Sequence, residues 1–194
     1  MMNKVRIIGG KWKRTSLPVP QVPGLRPTPG RVRETLFNWI THLCQGHWDE
    51  IACLDLFAGT GALGFESASR DARHVTMVEV DKQVFRQLQA ITGKLRADNI
   101  ELVCGDALEI LQQLVRHDKK FDLIFLDPPY EKDAWPEILN ICKNIMMNSG
   151  WIYLEFNQPI EVFLKEKIPD WQAEWEIVRE DQAGYVYYYL LQLK

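Results

Sequence analysis

The feature that most constrains the fold is a regular alternation of short apolar runs with helical patterns between residues 51 and 156. In the helical patterns apolar side chains recur every three or four residues, as at Val84, Leu88 and Ile91. The β-branched apolar runs are Ile51–Phe57, His74–Val80, Ile100–Cys104, Phe121–Leu126 and Trp151–Phe156. Because strands that alternate with helices are joined by crossovers, this order predicts a parallel sheet with helices on both faces.

The C-terminal part follows a different pattern. Glu174–Arg179 and Tyr185–Leu193 are both strand-like, and only a short turn around Gly184 separates them. That spacing predicts a hairpin, and therefore an antiparallel pair that closes one edge of the sheet. The chain as a whole is thus predicted to be an α/β protein with a seven-stranded, mostly parallel sheet.

The N-terminal part contains a proline-rich segment. Leu17–Gly30 includes five prolines and is predicted to be an extended connector. Thr28 and Pro29 then form a typical N-cap and first position of a helix, which we expect to continue to about Leu43. We therefore expect an N-terminal arm and linker at residues 1–27, followed by one domain at residues 28–194.

Charge is distributed unevenly along the chain. The net charge is −3, but residues 1–33 contain eight basic residues and no acidic one. Apolar residues interleave with these charges, which favours an ordered ribbon that contacts a polyanion, while a solvated tail that only aids solubility is the alternative. The nucleic-acid-binding candidates are Arg6, Lys11, Lys13, Arg14, Arg26 and Arg31.

Composition excludes several classes of protein. The chain has 194 residues, of which 46% are hydrophobic and 25% charged, as is typical of a globular domain. No apolar run approaches the ~20 residues of a membrane span and no signal-peptide pattern is present, so we expect a cytoplasmic protein. The four cysteines lack paired spacing, and we expect no metal site. Cys53 and Cys104 lie in apolar runs and are predicted to be buried thiols outside any disulfide.

A glycine-rich segment follows the first apolar run. Residues 59–64 (GTGALG) match the GxGxxG fingerprint of dinucleotide-binding proteins, and Glu79 follows Gly59 by 20 positions. Glycines let the backbone approach a ligand closely and bring the amino end of the next helix beneath it. An NAD-dependent oxidoreductase is therefore one interpretation. Asp55 opposes it, since a carboxylate just before the glycines would repel a pyrophosphate.

A positively charged cofactor without phosphate suits this segment better. S-adenosylmethionine carries a sulfonium and an ammonium group, and Asp55, Glu79 and Asp106 lie at or just after the ends of successive predicted strands. Ligands bind at the carboxyl edge of such a sheet, so we expect these acids to meet the amino-acid end, the ribose and the adenine in turn. Neighbouring candidates for cofactor contact are Phe57, Ala58, Gly59, Gly61, Val80, Ala107 and Asp127.

The residues Asp127-Pro128-Pro129-Tyr130 follow the fourth predicted strand and are the catalytic candidates. The prolines hold the backbone extended, which gives the Asp127 carboxylate and the Pro128 carbonyl fixed directions. Two rigid acceptors can bind both N–H groups of an exocyclic amine and free its lone pair to attack a methyl group. Asp127 can also accept a proton, and Tyr130 can stack on a base. An ordinary proline turn is the simpler alternative.

These segments together resemble the class I, Rossmann-like S-adenosylmethionine methyltransferases. DPPY resembles the [DNS]-PP-[YFW] signature of methyltransferases that act on adenine N6, guanine N2 or a glutamine amide. Residues 6–13 (RIIGGKWK), 24–28 (GLRPT) and 31–39 (RVRETLFNW) are similar to the RsmD family of bacterial 16S rRNA guanine-N2 methyltransferases. The resemblance spans roughly residues 5 to 193, and Tyr130 stands where several members have Phe, which preserves stacking.

The resemblance implies an enzyme that methylates one guanine of 16S rRNA in the assembled small ribosomal subunit. We expect the enzyme to be a monomer, although the sequence does not determine its oligomeric state. The resemblance also implies that the arm grips RNA, and that Thr28–Glu34 packs over the cofactor with Thr28 and Arg33 near its methionine end. The residues leave open a DNA adenine-N6 methyltransferase, an NAD-dependent oxidoreductase and a non-catalytic RNA-binding protein. Small size and the lack of a separate DNA-recognition domain favour RNA, whose loops extrude a base at low cost.

Overall fold

The computed structural model describes residues 4–20, 22, 28–127, 135–168 and 170–194. The helices are α1 Gly30–Leu43, α2 Ala62–Ser69, α3 Lys82–Leu95, α4 Ala107–Arg116, α5 Trp135–Cys142, α6 Ile160–Lys167 and α7 Trp171–Glu174. The strands are β1 Lys4–Arg6, β2 Ser16–Pro18, β3 Ala52–Asp55, β4 His74–Glu79, β5 Ile100–Cys104, β6 Phe121–Leu126, β7 Met146–Phe156, β8 Trp175–Ala183 and β9 Val186–Leu193. None of the helices in these ranges combines the length and apolarity needed to cross a membrane.

Seven strands form one sheet in the order β5-β4-β3-β6-β7-β9-β8, and β1 and β2 form a separate antiparallel pair. Neighbours pair in parallel at β3–β4, β4–β5 and β6–β7, whereas β7–β9 and β8–β9 are antiparallel. The predicted α/β fold with its antiparallel C-terminal hairpin is therefore confirmed. The chain divides into two compact units, Met1–Ala107 and Leu108–Lys194.

The first unit contains the parallel strands β3, β4 and β5. β3 is buried at every position, as expected of a strand covered on both faces. On α3 the predicted apolar stripe is confirmed, since Val84, Leu88 and Ile91 are all buried. The amino end of α3 is capped by Asp81, whose Oδ1 accepts the N–H groups of Gln83 and Val84.

Two local expectations in the first unit are wrong. Thr28 is not the N-cap of α1, because the Arg33 N–H donates to the Pro29 carbonyl at 3.1 Å and makes Pro29 the cap. Cys104 is exposed, because β5 is an edge strand without a fully buried residue. Cys53, by contrast, is a buried thiol in β3, as predicted.

In the second unit two strands are longer than their sequence patterns indicate. β7 begins at Met146 rather than Trp151, because Met146 pairs with Phe121 before the register shifts. β8 continues to Ala183 rather than ending at Arg179, since it pairs with β9 as far as the turn. Polar residues within both strands hid these extensions from a pattern based on apolar runs.

The N-terminal arm is an ordered ribbon on the first unit. β1 and β2 pair in antiparallel register, with Val5 opposite Leu17. Val5, Ile7 and Leu17 are buried, and Gln87 of α3 donates to the Pro18 carbonyl at 2.6 Å. The arm therefore packs onto the body through apolar side chains. The predicted domain boundary at residue 28 stays a prediction.

Candidate active site

The glycine-rich segment makes the turn from β3 into α2, and two of its glycines are required by the geometry. Gly61 has a φ of +75°, and a Cβ there would lie 2.6 Å from the Phe65 ring. At Gly64 a Cβ would lie 2.7 Å from Met77, so its absence lets α2 pack closely against β4. The segment is a tight strand-to-helix turn without room for side chains at either position.

Donors at the amino end of α2 are already bonded within the protein. The Gly64 N–H donates to Asp55 Oδ2 at 3.0 Å, and the Ala62 N–H donates to Thr60 Oγ1 at 3.3 Å. A pyrophosphate bound at a helix amino end uses such N–H groups. The arrangement therefore disfavours a dinucleotide of the NAD type and sets a carboxylate beside the loop instead.

Asp55 is a buried carboxyl group at the end of β3, with 3% of its surface exposed. Burial raises the pKa of Asp55 to about 7; the Gly64 hydrogen bond opposes the rise and the charge of Glu79 adds to it. A cation close to such a group favours its ionised form. A ligand with a positive charge is thus better suited to this position than one with phosphates.

Glu79 ends β4 and ties the glycine turn to the following helix. Its Oε2 accepts the Gly59 N–H at 2.9 Å, and its Oε1 accepts the Asp81 N–H at 2.8 Å. Each carboxylate oxygen has two lone pairs, so each retains the capacity to accept a further donor. Glu79 is half-buried, which leaves room for a hydroxyl donor such as a ribose diol.

The other predicted cofactor residues of the first unit lie at the same strand ends. Asp106 is half-buried directly before α4, Ala107 is buried at its start, and Val80 is 62% exposed after β4. The Gly105 N–H donates to the Glu79 carbonyl at 3.1 Å and joins the ends of β4 and β5. Loop residues nearby, half-buried or buried, are Phe57, Ala58 and Gly59. The first unit therefore brings its predicted acids to the carboxyl edge of β3, β4 and β5.

In the second unit Asp127 directly follows β6 and is half-buried. The predicted catalytic residues that follow it, Pro128, Pro129 and Tyr130, lie outside the described residues. Burial, foremost, and then Glu155 raise the pKa of the buried Tyr153 well above its ordinary value, and the charge of Asp127 contributes to the rise. The Asp127 carboxylate thus acts on a buried polar group of β7.

Thr28 and Arg33 are both buried in the first unit. The Arg33 Nη1 donates to the Arg6 carbonyl at 3.0 Å, while its Nε has no hydrogen-bond partner among the described residues. Burial lowers the pKa of Arg33, and the charge of Glu66 opposes this. Arg33 therefore fastens β1 to α1, a role that its predicted position near the cofactor did not suggest.

The predicted RNA-binding cations that the structure describes are all exposed, namely Arg6, Lys11, Lys13, Arg14 and Arg31. Arg26 lies outside the described residues. Lys11 forms an ion pair with Asp71 at 3.0 Å and lies 4.7 Å from the centre of the Trp12 ring. The arm thus buries apolar side chains while its charged groups stay at the surface.

The arm meets the carboxyl end of α2 at a contact that we call the arm junction, formed by Ile8, Gly9, Glu66, Ser69 and Arg70. The fully buried Glu66 accepts the Ile8 and Gly9 N–H groups at 2.6 and 2.8 Å. It also accepts the Arg70 Nε–H at 2.9 Å, and the Ser69 hydroxyl donates to the Gly9 carbonyl at 2.7 Å. The junction therefore satisfies backbone groups of the arm and pairs the buried Glu66 with the half-buried Arg70.

Comparison with known proteins places the chain in a family. A family model described as "Conserved hypothetical protein 95" matches residues 5–192. Ribosomal RNA small subunit methyltransferase D of Escherichia coli (strain K12) is 39% identical over 189 residues, which cover 97% of this chain and 90% of that protein. The chain belongs to the RsmD family.

Other relatives agree with this RsmD-family membership. The protein of the same name from Haemophilus influenzae is 37% identical over 193 residues, covering 97% of this chain and 94% of that protein. The solved structure of the putative methyltransferase yhhF from Escherichia coli has a TM-score of 0.81 and 34% identity, and covers 99% of both chains. The predicted resemblance to the RsmD family is therefore confirmed.

Within this RsmD-family chain, sequence reasoning missed residues that hold the site and the arm together. Glu66 was not singled out, although it is the one ionisable residue of α2, and a lone acid in an apolar helix is a signal for a buried partner. Glu155 and Tyr153 were missed because they lie inside a run that predicts a strand. The assigned roles of the predicted site residues stay predictions.

Proposed function

We propose that the chain transfers a methyl group from S-adenosylmethionine to the exocyclic N2 of one guanine in 16S rRNA. The coarser activity, S-adenosylmethionine-dependent methylation of ribosomal RNA, follows from membership in the RsmD family. The more specific part of the proposal is that the methylated atom is guanine N2 and that the substrate is the assembled small subunit. We also propose that the enzyme is a monomer and acts in the cytoplasm. The observation that carries the proposal is the glycine-rich turn between β3 and α2. There the Asp55 carboxylate accepts the Gly64 N–H near the amino end of α2.

The residues of the first unit fit S-adenosylmethionine by their chemistry. When bound, the cofactor supplies an electrophilic methyl group on a sulfonium. Asp55 and the half-buried Glu79 and Asp106 offer acceptors and negative charge, which suit a cation with hydroxyl and amine donors. We assign Asp55 to the amino-acid end, Glu79 to the ribose and Asp106 to the adenine. The surrounding contacts are assigned to Thr28, Arg33, Phe57, Ala58, Gly59, Gly61, Val80 and Ala107.

The catalytic role belongs to Asp127 and the three residues after it. The Asp127 carboxylate and the Pro128 carbonyl accept the two N–H groups of the guanine amine and free its lone pair. Pro129 stiffens the turn, and Tyr130 stacks on the base. Asp127 then accepts the proton that the nitrogen must lose once it carries the methyl group. Holding the amine in line for transfer supplies much of the rate.

The exposed cations of the arm bind the RNA backbone. Arg6, Lys13 and Arg14 project from a ribbon that the arm junction holds in place, so little ordering is needed when RNA binds. Phosphate contacts of this kind position the enzyme without reading sequence. The choice of one guanine then comes from the contacts that Asp127, Pro128 and Tyr130 make with the base and from the shape of the particle.

Methyl mapping on small ribosomal subunits tests the proposal. Subunits purified from cells that lack the protein serve as substrate, and new methyl groups are located by primer extension and mass spectrometry. We expect one N2-methylguanine in 16S rRNA with the wild-type chain. Asp127→Ala should yield none while binding cofactor within about tenfold of the wild type. Methylation of adenine or of DNA alone, or full activity of Asp127→Ala, would contradict the proposal.

A further inference from the structure

The second unit contains a buried carboxyl group that the proposed chemistry does not use. Glu155 on β7 has 4% of its surface exposed. The fully buried Tyr153 donates its hydroxyl to Glu155 Oε1 at 2.7 Å. A hydrogen bond donated to a carboxylate favours its ionised form. Burying a carboxyl group in a strand interior is costly, and buried titratable groups of this kind cluster at functional sites.

The strand register sets Glu155 beside the catalytic candidate. β6 and β7 are parallel, with Phe125 opposite Tyr153 and Leu126 opposite Leu154. Continuing that register by one residue puts Asp127 opposite Glu155. Partners in adjacent strands point to the same face and lie about 5 Å apart. The contribution of Asp127 to the raised pKa of Tyr153, after burial and Glu155, agrees with this placement.

The other side of Glu155 is also defined. Tyr188 of β9 lies opposite Glu155, and its hydroxyl donates to Asp181 Oδ2 of β8 at 2.7 Å. Among the residues that the structure describes, the titratable groups acting on Tyr153 are Glu155, Asp127 and Tyr188. One transverse row therefore runs from Asp127 through Glu155 and Tyr188 to Asp181, with carboxyl groups at its first, second and last positions.

We propose that Glu155, held by Tyr153, is a positioning residue that makes Asp127 a stronger proton acceptor in methyl transfer. Two neighbouring carboxylates repel, so an ionised Glu155 favours the proton-bound form of Asp127. In the reaction the amine nitrogen gains a bond to carbon while the carbon–sulfur bond breaks and its electron pair goes to sulfur. One proton then leaves the nitrogen for Asp127 and passes to water. This inference rests on the proposed role of Asp127.

Infrared titration of the full chain without cofactor measures the effect directly. The carboxyl band of Asp127 is identified by its loss in Asp127→Asn, and its midpoint is compared between the wild type and Glu155→Gln. Glutamine keeps an oxygen acceptor for Tyr153 but removes the charge. We expect the midpoint of Asp127 to fall by about one pH unit, as loss of a nearby like charge requires. Glu176→Gln, an exposed change of the same charge on β8, should leave it in place.

Tyr153→Phe is the second variant, since loss of the hydroxyl donor makes Glu155 less readily ionised. We expect a smaller shift of the Asp127 midpoint in the same direction. In methylation assays the acidic limb of the kcat profile should move to lower pH in Glu155→Gln. Equal Asp127 midpoints in the wild type and Glu155→Gln would overturn the inference, even if kcat fell. If the wild type did not methylate small subunits, the proposed function would fail, whereas the infrared comparison would still decide the effect of Glu155 on Asp127.

Discussion

Glu66 in the arm junction and Glu79 beside the glycine turn make the same kind of contact in different surroundings. Each carboxylate accepts two backbone N–H groups, Ile8 and Gly9 in one case and Gly59 and Asp81 in the other. Glu66 is fully buried and also paired with Arg70, whereas Glu79 is half-buried at a strand end. Burial therefore separates a carboxylate that holds structure from one that can still accept a ligand.

The largest effect is expected from Glu66→Ala. This change leaves two backbone donors and the Arg70 charge without their buried acceptor, and we expect it to lower the free energy of unfolding by about 3–5 kcal/mol. Urea denaturation measures the loss. Glu66→Gln keeps one acceptor oxygen and should lose less. Glu34→Ala changes an exposed residue of α1 and is the control. An equal loss of unfolding free energy in Glu66→Ala and Glu34→Ala would contradict the structural role that we assign to the buried Glu66.

Asp55→Asn tests a second buried carboxyl group, that of Asp55, through the pH dependence of stability. Because burial raises the folded-state pKa of Asp55 from 3.8 to about 7, the folded chain binds a proton between about pH 4 and 7 that the unfolded chain releases. Its contribution to stability therefore falls as pH rises through this window. Asn retains the acceptor for Gly64, so at pH 8 we expect a gain of up to about 4 kcal/mol. Unfolding free energies from pH 4.5 to 8 should diverge, and parallel curves would refute the assignment.

Glu79→Gln tests the carboxylate that keeps acceptor capacity. The amide has one oxygen for two backbone donors, and its NH₂ group cannot accept from a ribose. We expect cofactor affinity to fall about 10- to 100-fold, with a loss of about 1 kcal/mol in stability. Isothermal titration calorimetry gives the affinity. Glu101→Gln on β5 has the same charge change and should bind normally; equal weakening in both variants would argue against a direct role for Glu79.

The smallest effect is expected from the surface of the arm. Replacing Lys11, Lys13 and Arg14 with alanine should weaken RNA binding about tenfold and flatten its salt dependence by about 0.7 per lost phosphate contact. Binding to small subunits is measured over a range of salt concentrations. A triple variant of the exposed Arg116, Lys119 and Lys120 has the same charge change and serves as the control. An unchanged slope would mean that the arm does not touch RNA.

Local pattern was sufficient for much of the fold. The order of strands and helices from β3 to β7, the glycine turn and the C-terminal hairpin all follow from spacing within short segments. The local pattern failed where a contact with another part of the structure decides whether a residue is buried or caps a helix. Cys104 has the apolar surroundings of a buried thiol, yet its strand lies at the sheet edge. Thr28 has the chemistry of an N-cap, yet the carbonyl of Pro29 accepts the first helical bond.

The same distinction between local sequence and tertiary contacts applies to the candidate site. The sequence by itself determined that acids follow successive strands and that two consecutive prolines follow Asp127, because these features lie in consecutive residues. Only the tertiary structure decided which carboxylates have their acceptor positions filled by donors of the protein, and which carboxylates lie next to another carboxyl group. Glu66 accepts a hydrogen bond from Ile8, which lies 58 positions away in the sequence. The register of β6 and β7, continued by one residue, puts Asp127 opposite Glu155. Such contacts depend on burial and pairing between distant segments, and no local pattern of residues specifies them.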